Sequence, residues 1–83
     1  MKIMLKLFAN LKELAGTDAL ELEMKEGSDV EALVRTISSE LPALKELLEK
    51  KAVFISINLD MAKNSDILSE GDEVGLLPPF SGG

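Results

Sequence analysis

The sequence predicts an α+β fold, one small domain in which a mixed sheet of four to five strands is covered by one main helix. Three observations carry this expectation. Apolar and polar residues alternate at 2–8, 19–25 and 53–59, the period-two signature of half-buried strands. A single well-bounded amphipathic stretch follows residue 28 and is broken by Pro42. The chain has 83 residues, and a chain of this size buries only about 60–65% of the surface its unfolded form exposes, enough for one modest core and not for two.

In chain order, Ile3, Leu5 and Leu7 point one way and Lys2, Met4, Lys6 and Phe8 the other, which makes the opening run a strand. Asn10 is expected to cap a short helical turn with Glu13 reaching back to it, Leu11 and Leu14 facing inward and Gly16 ending it. Leu20, Leu22 and Met24 alternate with Glu21, Glu23 and Lys25, giving a second strand with one wet face, placed to form a hairpin with the first. Gly27 turns the chain. Ser28-Asp29-Val30-Glu31 has capping-box spacing, with the Ser28 oxygen and Glu31 each expected to satisfy a free backbone donor. Behind it Val30, Leu33, Val34, Ile37 and Leu41 form a stripe along one side of a helix.

Leu44, Leu47 and Leu48 suggest a further helical turn, and Val53, Ile55, Ile57 and Leu59 a third strand. Phe54 lies on the opposite face of that strand. An aromatic in a strand is more often core than partner surface, and Phe54 is read so. Gly71-Asp72 turns into a last strand through Val74 and Leu76, which Pro78-Pro79 ends by removing two backbone donors. Strand, strand, capped helix, strand, short elements, strand is the β-grasp, or ubiquitin-like, order. A ferredoxin-like order would need a second full helix, and the segment around Leu44 to Leu48 is short for that role. Residues 1–79 are thus expected to form the β-grasp domain and 80–83 a C-terminal tail.

Composition removes many functions. Fifteen acidic residues face nine basic ones, the net charge is -6, and Arg35 is the only arginine, so no cationic surface exists to neutralise a nucleic acid backbone. Cysteine and histidine are both absent, which excludes a disulfide, a thiolate nucleophile, an imidazole base and the usual zinc ligands. Apolar runs are far shorter than the ~20 residues that span a bilayer, and no signal-peptide core follows Met1-Lys2, so no membrane partner is expected and the cytoplasm is the expected location. Glu21, Glu23, Glu46, Glu49, Lys50 and Lys51 read as solvated faces and the four methionines as packing. Asp60, Asn64, Ser65 and Asp66 lack the glycine and terminal glutamate of a calcium loop and read as an ordinary loop.

Chemistry remains available only at the tail, Phe80-Ser81-Gly82-Gly83. A terminal glycine pair is most simply a frayed end. Two features argue for more. Pro78-Pro79 stiffens the tail's base, and four extended residues at ~3.3–3.6 Å each reach ~13 Å, enough to enter another protein's pocket. A narrow channel that admits a backbone terminus also selects glycine, whose missing side chain clears the walls. Phe80, beside the tail, is expected to contact a partner rather than stay in solvent. A carboxylate is ionised at neutral pH and a poor electrophile, so acyl chemistry at Gly83 requires activation, for which ATP is the obvious reagent. The chain offers neither nucleophile nor base for these steps, and a partner enzyme would supply both.

Three segments, Phe8-Ala9-Asn10-Leu11-Lys12-Glu13-Leu14-Ala15-Gly16, Leu68-Ser69-Glu70-Gly71-Asp72-Glu73-Val74 and Pro78-Pro79-Phe80-Ser81-Gly82-Gly83, together resemble the small, sulfur-carrying subunits of molybdopterin synthases. The resemblance covers the whole chain. It implies a β-grasp fold and an E1-like enzyme that uses ATP to adenylate Gly83, with no cofactor bound by this chain. A sulfur donor such as a cysteine desulfurase or rhodanese-like protein would then leave a thiocarboxylate. That terminus would enter the large synthase subunit, in a heterotetramer, and give its sulfur to cyclic pyranopterin monophosphate to form the molybdopterin dithiolene. Carried over residue by residue, Gly83 is the adenylated and thiocarboxylated residue, Gly82 the second channel residue, Ser81 and Phe80 the rest of the tail, and Pro78 and Pro79 its exit. The family often has an aromatic just before the diproline. Leu77 holds that place here and is the expected partner contact. A ubiquitin-like modifier joined through Gly83 to a lysine, a carrier for thiamine or tRNA thiolation, and an interaction module with an inert tail are the alternatives.

Overall fold

A computed structural model describes residues 1–79. The elements are β1 (Lys2–Leu7), α1 (Ala9–Ala15), β2 (Ala19–Glu23), α2 (Val30–Glu40), a 3₁₀ turn (Pro42–Leu44), α3 (Lys45–Glu49), β3 (Phe54–Ile57), β4 (Asp60–Met61) and β5 (Glu73–Leu77). The sheet order is β2-β1-β5-β3-β4. β1 and β5 run parallel at its centre, with Leu5 beside Val74 and Leu7 beside Leu76. The other pairings, β1–β2, β3–β5 and β3–β4, are antiparallel. This is the expected β-grasp arrangement with five strands.

One face of the sheet is the core. Ile3, Leu5, Leu7, Leu22, Val74 and Leu76 are buried on it, and Val30, Leu33 and Ile37 of α2 close over them, joined by Leu11, Leu44, Leu48 and Leu68. Alternation explains the selection, because each of these strands turns every second residue inward. Pro42 ends α2 at Glu40 and opens the 3₁₀ turn that places Leu44 in the core.

Several local expectations are corrected. Asn10 does not cap α1. Phe8, still bonded to the sheet through its N–H and the Leu76 carbonyl at 3.2 Å, occupies the cap position without a side-chain bond, so Asn10 falls inside the first turn. Leu14 is about half exposed rather than inward. Gly16 does end the helix, at φ 75°, its N–H donating to the Lys12 carbonyl.

The cap of α2 is Asp29 and not Ser28. Asp29 Oδ1 accepts the Ala32 N–H at 2.9 Å. The Ser28 backbone is engaged elsewhere, its N–H on Lys25 and its carbonyl accepting from Leu68, and Asp29 takes the extended conformation a cap needs. Asp29→Ala is expected to cost about 1 kcal/mol and to lower Tm by about 4–8 °C, whereas Ser28→Ala stays within about 0.5 kcal/mol. Thermal unfolding of the two variants checks which residue caps.

β3 stops at Ile57, two residues short of the expected strand. Asn58 and Leu59, at φ 50° and 75°, form a tight turn into β4, and Leu59 is 90% exposed. Phe54, read above as core, stands at 37% exposure on the outer face of the sheet. Met4 and Met61 are exposed there as well, so packing accounts for Met24 and not for them. Of the expected loop over Asp60, Asn64, Ser65 and Asp66, Asp60 instead lies in β4, paired with Ile57, and residues 62–68 form the loop. Its Asp66 and Asn64 carbonyls accept the first two N–H groups of α2, and Asp66 Oδ2 accepts the Lys63 N–H. Among the described residues no helix is long and apolar enough to cross a membrane.

Candidate functional site

The chain leaves the sheet from β5, its central strand. β5 is hydrogen-bonded on both sides, to β1 and to β3, and ends at Leu77, which pairs with Phe54. Pro78 is half-buried and Pro79 exposed, so the diproline emerges at the end of the central strand. Phe80, Ser81, Gly82 and Gly83 lie outside the described residues.

The root of the tail opens on the outer sheet face. Register puts Leu77 and Phe54 side by side there, then Gly75, Ser56 and Met61 in a row across β5, β3 and β4, then Glu73 and Met4. Phe8 joins them at the root end. A Cβ built on Gly75 would lie 3.5 Å from the Phe8 ring and 3.7 Å from Leu77, and only 2.7 Å from Ser56 Oγ. Glycine therefore lets Phe8 and Ser56 close over the middle of β5 and keeps the face flat. Phe8, Phe54 and Met61 are exposed and Leu77 is partly so. An apolar surface beside the diproline has the composition of an interface centre.

The same face carries charge, because register sets Lys6 beside Gly75 and Glu73 beside Met4. Lys6 Nζ pairs with Glu73 at 3.4 Å, both side chains half exposed, and β2 presents Glu21 and Glu23. Exposed pairs of this kind add little stability but restrict which partners fit. A groove of about 470 Å³ begins at Phe54 and Met61 and is lined further by Val34, Leu48, Val53, Ile55 and Ala62. It brings no set of reactive groups together. Among the described residues no three acidic, histidine or cysteine side chains are grouped to hold a metal ion.

Leu77, immediately before Pro78, thus stands beside Phe54 on the outer face. Sequence reasoning missed the rest of the surface. Alternation in β1 already placed Met4 and Phe8 on the outer face, but only the register of β3 and β5 reveals that Phe54 and Met61 share it. The short β4 lacks any alternating run of its own.

The ThiS family matches residues 5–83. The molybdopterin synthase sulfur carrier subunit of Chlamydomonas reinhardtii is 30% identical over 83 residues, spanning 100% of both chains. That of Arabidopsis thaliana is 31% identical over 83 residues, spanning 100% of this chain and 84% of the relative. Among solved structures, small archaeal modifier protein 1 of Methanosarcina acetivorans superimposes with a TM-score of 0.79 at 32% identity, covering 99% of this chain and 96% of that one. A chain from the complex of subunits 1 and 2 of the Helicobacter pylori molybdopterin-converting factor gives 0.71 at 26% identity, with full coverage of both. With the β-grasp sheet in place and similarity continuing through Gly83, the chain belongs to the ThiS family of ubiquitin-like sulfur carriers.

Proposed function

We propose that this chain is the sulfur carrier subunit of a molybdopterin synthase. The observation that carries the reading is similarity to a molybdopterin synthase sulfur carrier subunit along the full length of both chains, Gly82 and Gly83 included. In this reading the Gly83 carboxylate attacks the α-phosphate of ATP on an E1-like enzyme, releasing pyrophosphate and leaving a glycyl adenylate. The terminal sulfur of a persulfide on a cysteine desulfurase or rhodanese-like protein displaces AMP to give an acyl disulfide, and a second thiol cleaves its S–S bond, leaving the terminus a thiocarboxylate and the two thiols a disulfide. The terminus then enters the large synthase subunit and gives its one sulfur to cyclic pyranopterin monophosphate, ending as a carboxylate, and two such carriers in turn supply the two sulfurs of the dithiolene. This chain contributes no catalytic side chain. It binds no cofactor and serves as a carrier whose Gly82, Ser81 and Phe80 thread the channel.

The outer face gives the large subunit something to hold. Phe8, Phe54, Met61 and Leu77 surround the exit at Pro78-Pro79, so docking on this face aims the tail at the partner's pocket. That the Helicobacter pylori relative comes from a complex of two subunits supports such a partner. A heterotetramer in the cytoplasm, where ATP is at hand, completes the proposal. Similarity to small archaeal modifier protein 1 favours one second reading, in which activated Gly83 is joined to a lysine of a target.

Intact mass of the protein from its own cells, with fragmentation to localise any change, separates the two. Sulfur in place of one oxygen at Gly83 is the expected result. Localisation matters because oxidation of any of the four methionines gives the same nominal shift. Unmodified Gly83 found together with lysine-linked conjugates would replace the carrier by the modifier.

A further inference from the structure

We infer that Leu59 is a second anchor for the large synthase subunit, received by an uncharged aliphatic pocket of that partner; this rests on the carrier reading above. The hairpin between β3 and β4 pairs Ile57 with Asp60 and leaves two residues in the turn, Asn58 at φ 50° and Leu59 at φ 75°. Turns of this kind want asparagine first and glycine second, because both positions are left-handed. Leucine is therefore strained in the second position, and at 90% exposure it gains nothing from burial. Strain held at an exposed site points to use by a partner.

The turn is also held in place. The Asn58 N–H donates to the Glu73 carbonyl at 2.8 Å, and Asn58 Oδ1 accepts the Glu73 N–H at 3.0 Å. Asn58 Nδ2 donates to Asp72 Oδ1 at 2.9 Å, while Asp72 Oδ2 accepts the Ser69 N–H at 2.7 Å. Leu59 thus stands on a peg fixed to the start of β5, so little freedom is lost when a partner buries it.

Its position suggests what it adds. The tail leaves the Leu77 end of β5 and the peg stands at the Glu73 end, about 13 Å away at ~3.3 Å per residue. Met61, two residues beyond Leu59, belongs to the apolar outer face, so the anchor and that face share one hairpin. A threaded tail alone leaves rotation about its own axis open. A contact at the far end of the same strand closes it.

The test measures binding of the chain to its large subunit by calorimetry, together with Tm. Leu59→Gly gives the turn its preferred residue, so Tm is expected at or above that of the unsubstituted protein, while Kd rises about tenfold or more. Leu59→Met keeps an aliphatic side chain and is expected to bind within about twofold. Unchanged Kd for Leu59→Gly would overturn the inference and leave the carrier reading standing. So would weakened binding to the E1-like enzyme alone. If the unsubstituted chain fails to bind the large subunit, the carrier reading itself falls, and the inference with it.

Discussion

Adding one alanine after Gly83 is expected to lower sulfur transfer by about 100-fold or more and to leave Tm unchanged. The added residue moves the carboxylate ~3.3–3.6 Å further from the sheet and puts a methyl group into a channel suited to glycine. Both changes act on the reacting atom. Neither touches the core, whose buried side chains among the described residues lie within 3–76. Thiocarboxylate yield on the E1-like enzyme and dithiolene formation with the large subunit are the readouts, with thermal unfolding as the control. Full activity in both would mean an inert tail and a module that works by its surface alone. The modifier reading shares the expected loss, which is why the mass measurement at Gly83 is needed beside it.

The second large effect is on stability. Leu33 is fully buried in the middle of α2, facing the sheet, and Leu33→Ala is expected to cost about 2–5 kcal/mol through lost burial and the cavity left behind. A domain of this length has roughly 4–12 kcal/mol in all, at ~0.05–0.15 kcal/mol per residue. Tm should fall by about 10 °C or more. Val34, next in sequence but only partly buried, provides the comparison, with an expected loss of about 1 kcal/mol on change to alanine. Equal losses at the two positions would contradict the placement of α2 on the sheet.

What could be read without coordinates follows from which physics is local. β1, β2 and α2 each bury one face of a regular element, and periodicity alone shows that. The end of β3 was misplaced because Leu59 continues the apolar alternation, while the turn that removes it lacks the glycine that would mark it. Ser28 and Asp29 are equally able to cap as residue types, so the helix sequence does not separate them. The choice was made by the Leu68 and Lys25 backbone bonds to Ser28 and the bridge between Asp29 and Ile67, contacts that the helix sequence does not contain.

The same division holds for the site. Pro78-Pro79 and Gly82-Gly83 are contiguous, and their chemistry was legible at once. The apolar face was not, because Phe8, Phe54, Met61 and Leu77 come from three strands and a strand-to-helix junction, and become neighbours only through long-range pairing. Phe54 in particular has the composition of a core residue. Only its pairing with Leu77, opposite in face to Ile55 and Leu76, turns it outward.

The parallel contact between β1 and β5 has a consequence for motion. It joins residues 4 and 73 at the centre of the sheet, so β5 cannot detach by local fraying, as a terminal edge strand can. Opening it requires disrupting most of the sheet, and the amides of Val74 to Leu77 should exchange with solvent only through events close to complete unfolding. The two-residue edge strand β4 has no such protection. Pro78 and Pro79 therefore follow a strand whose base stays fixed for as long as the protein is folded.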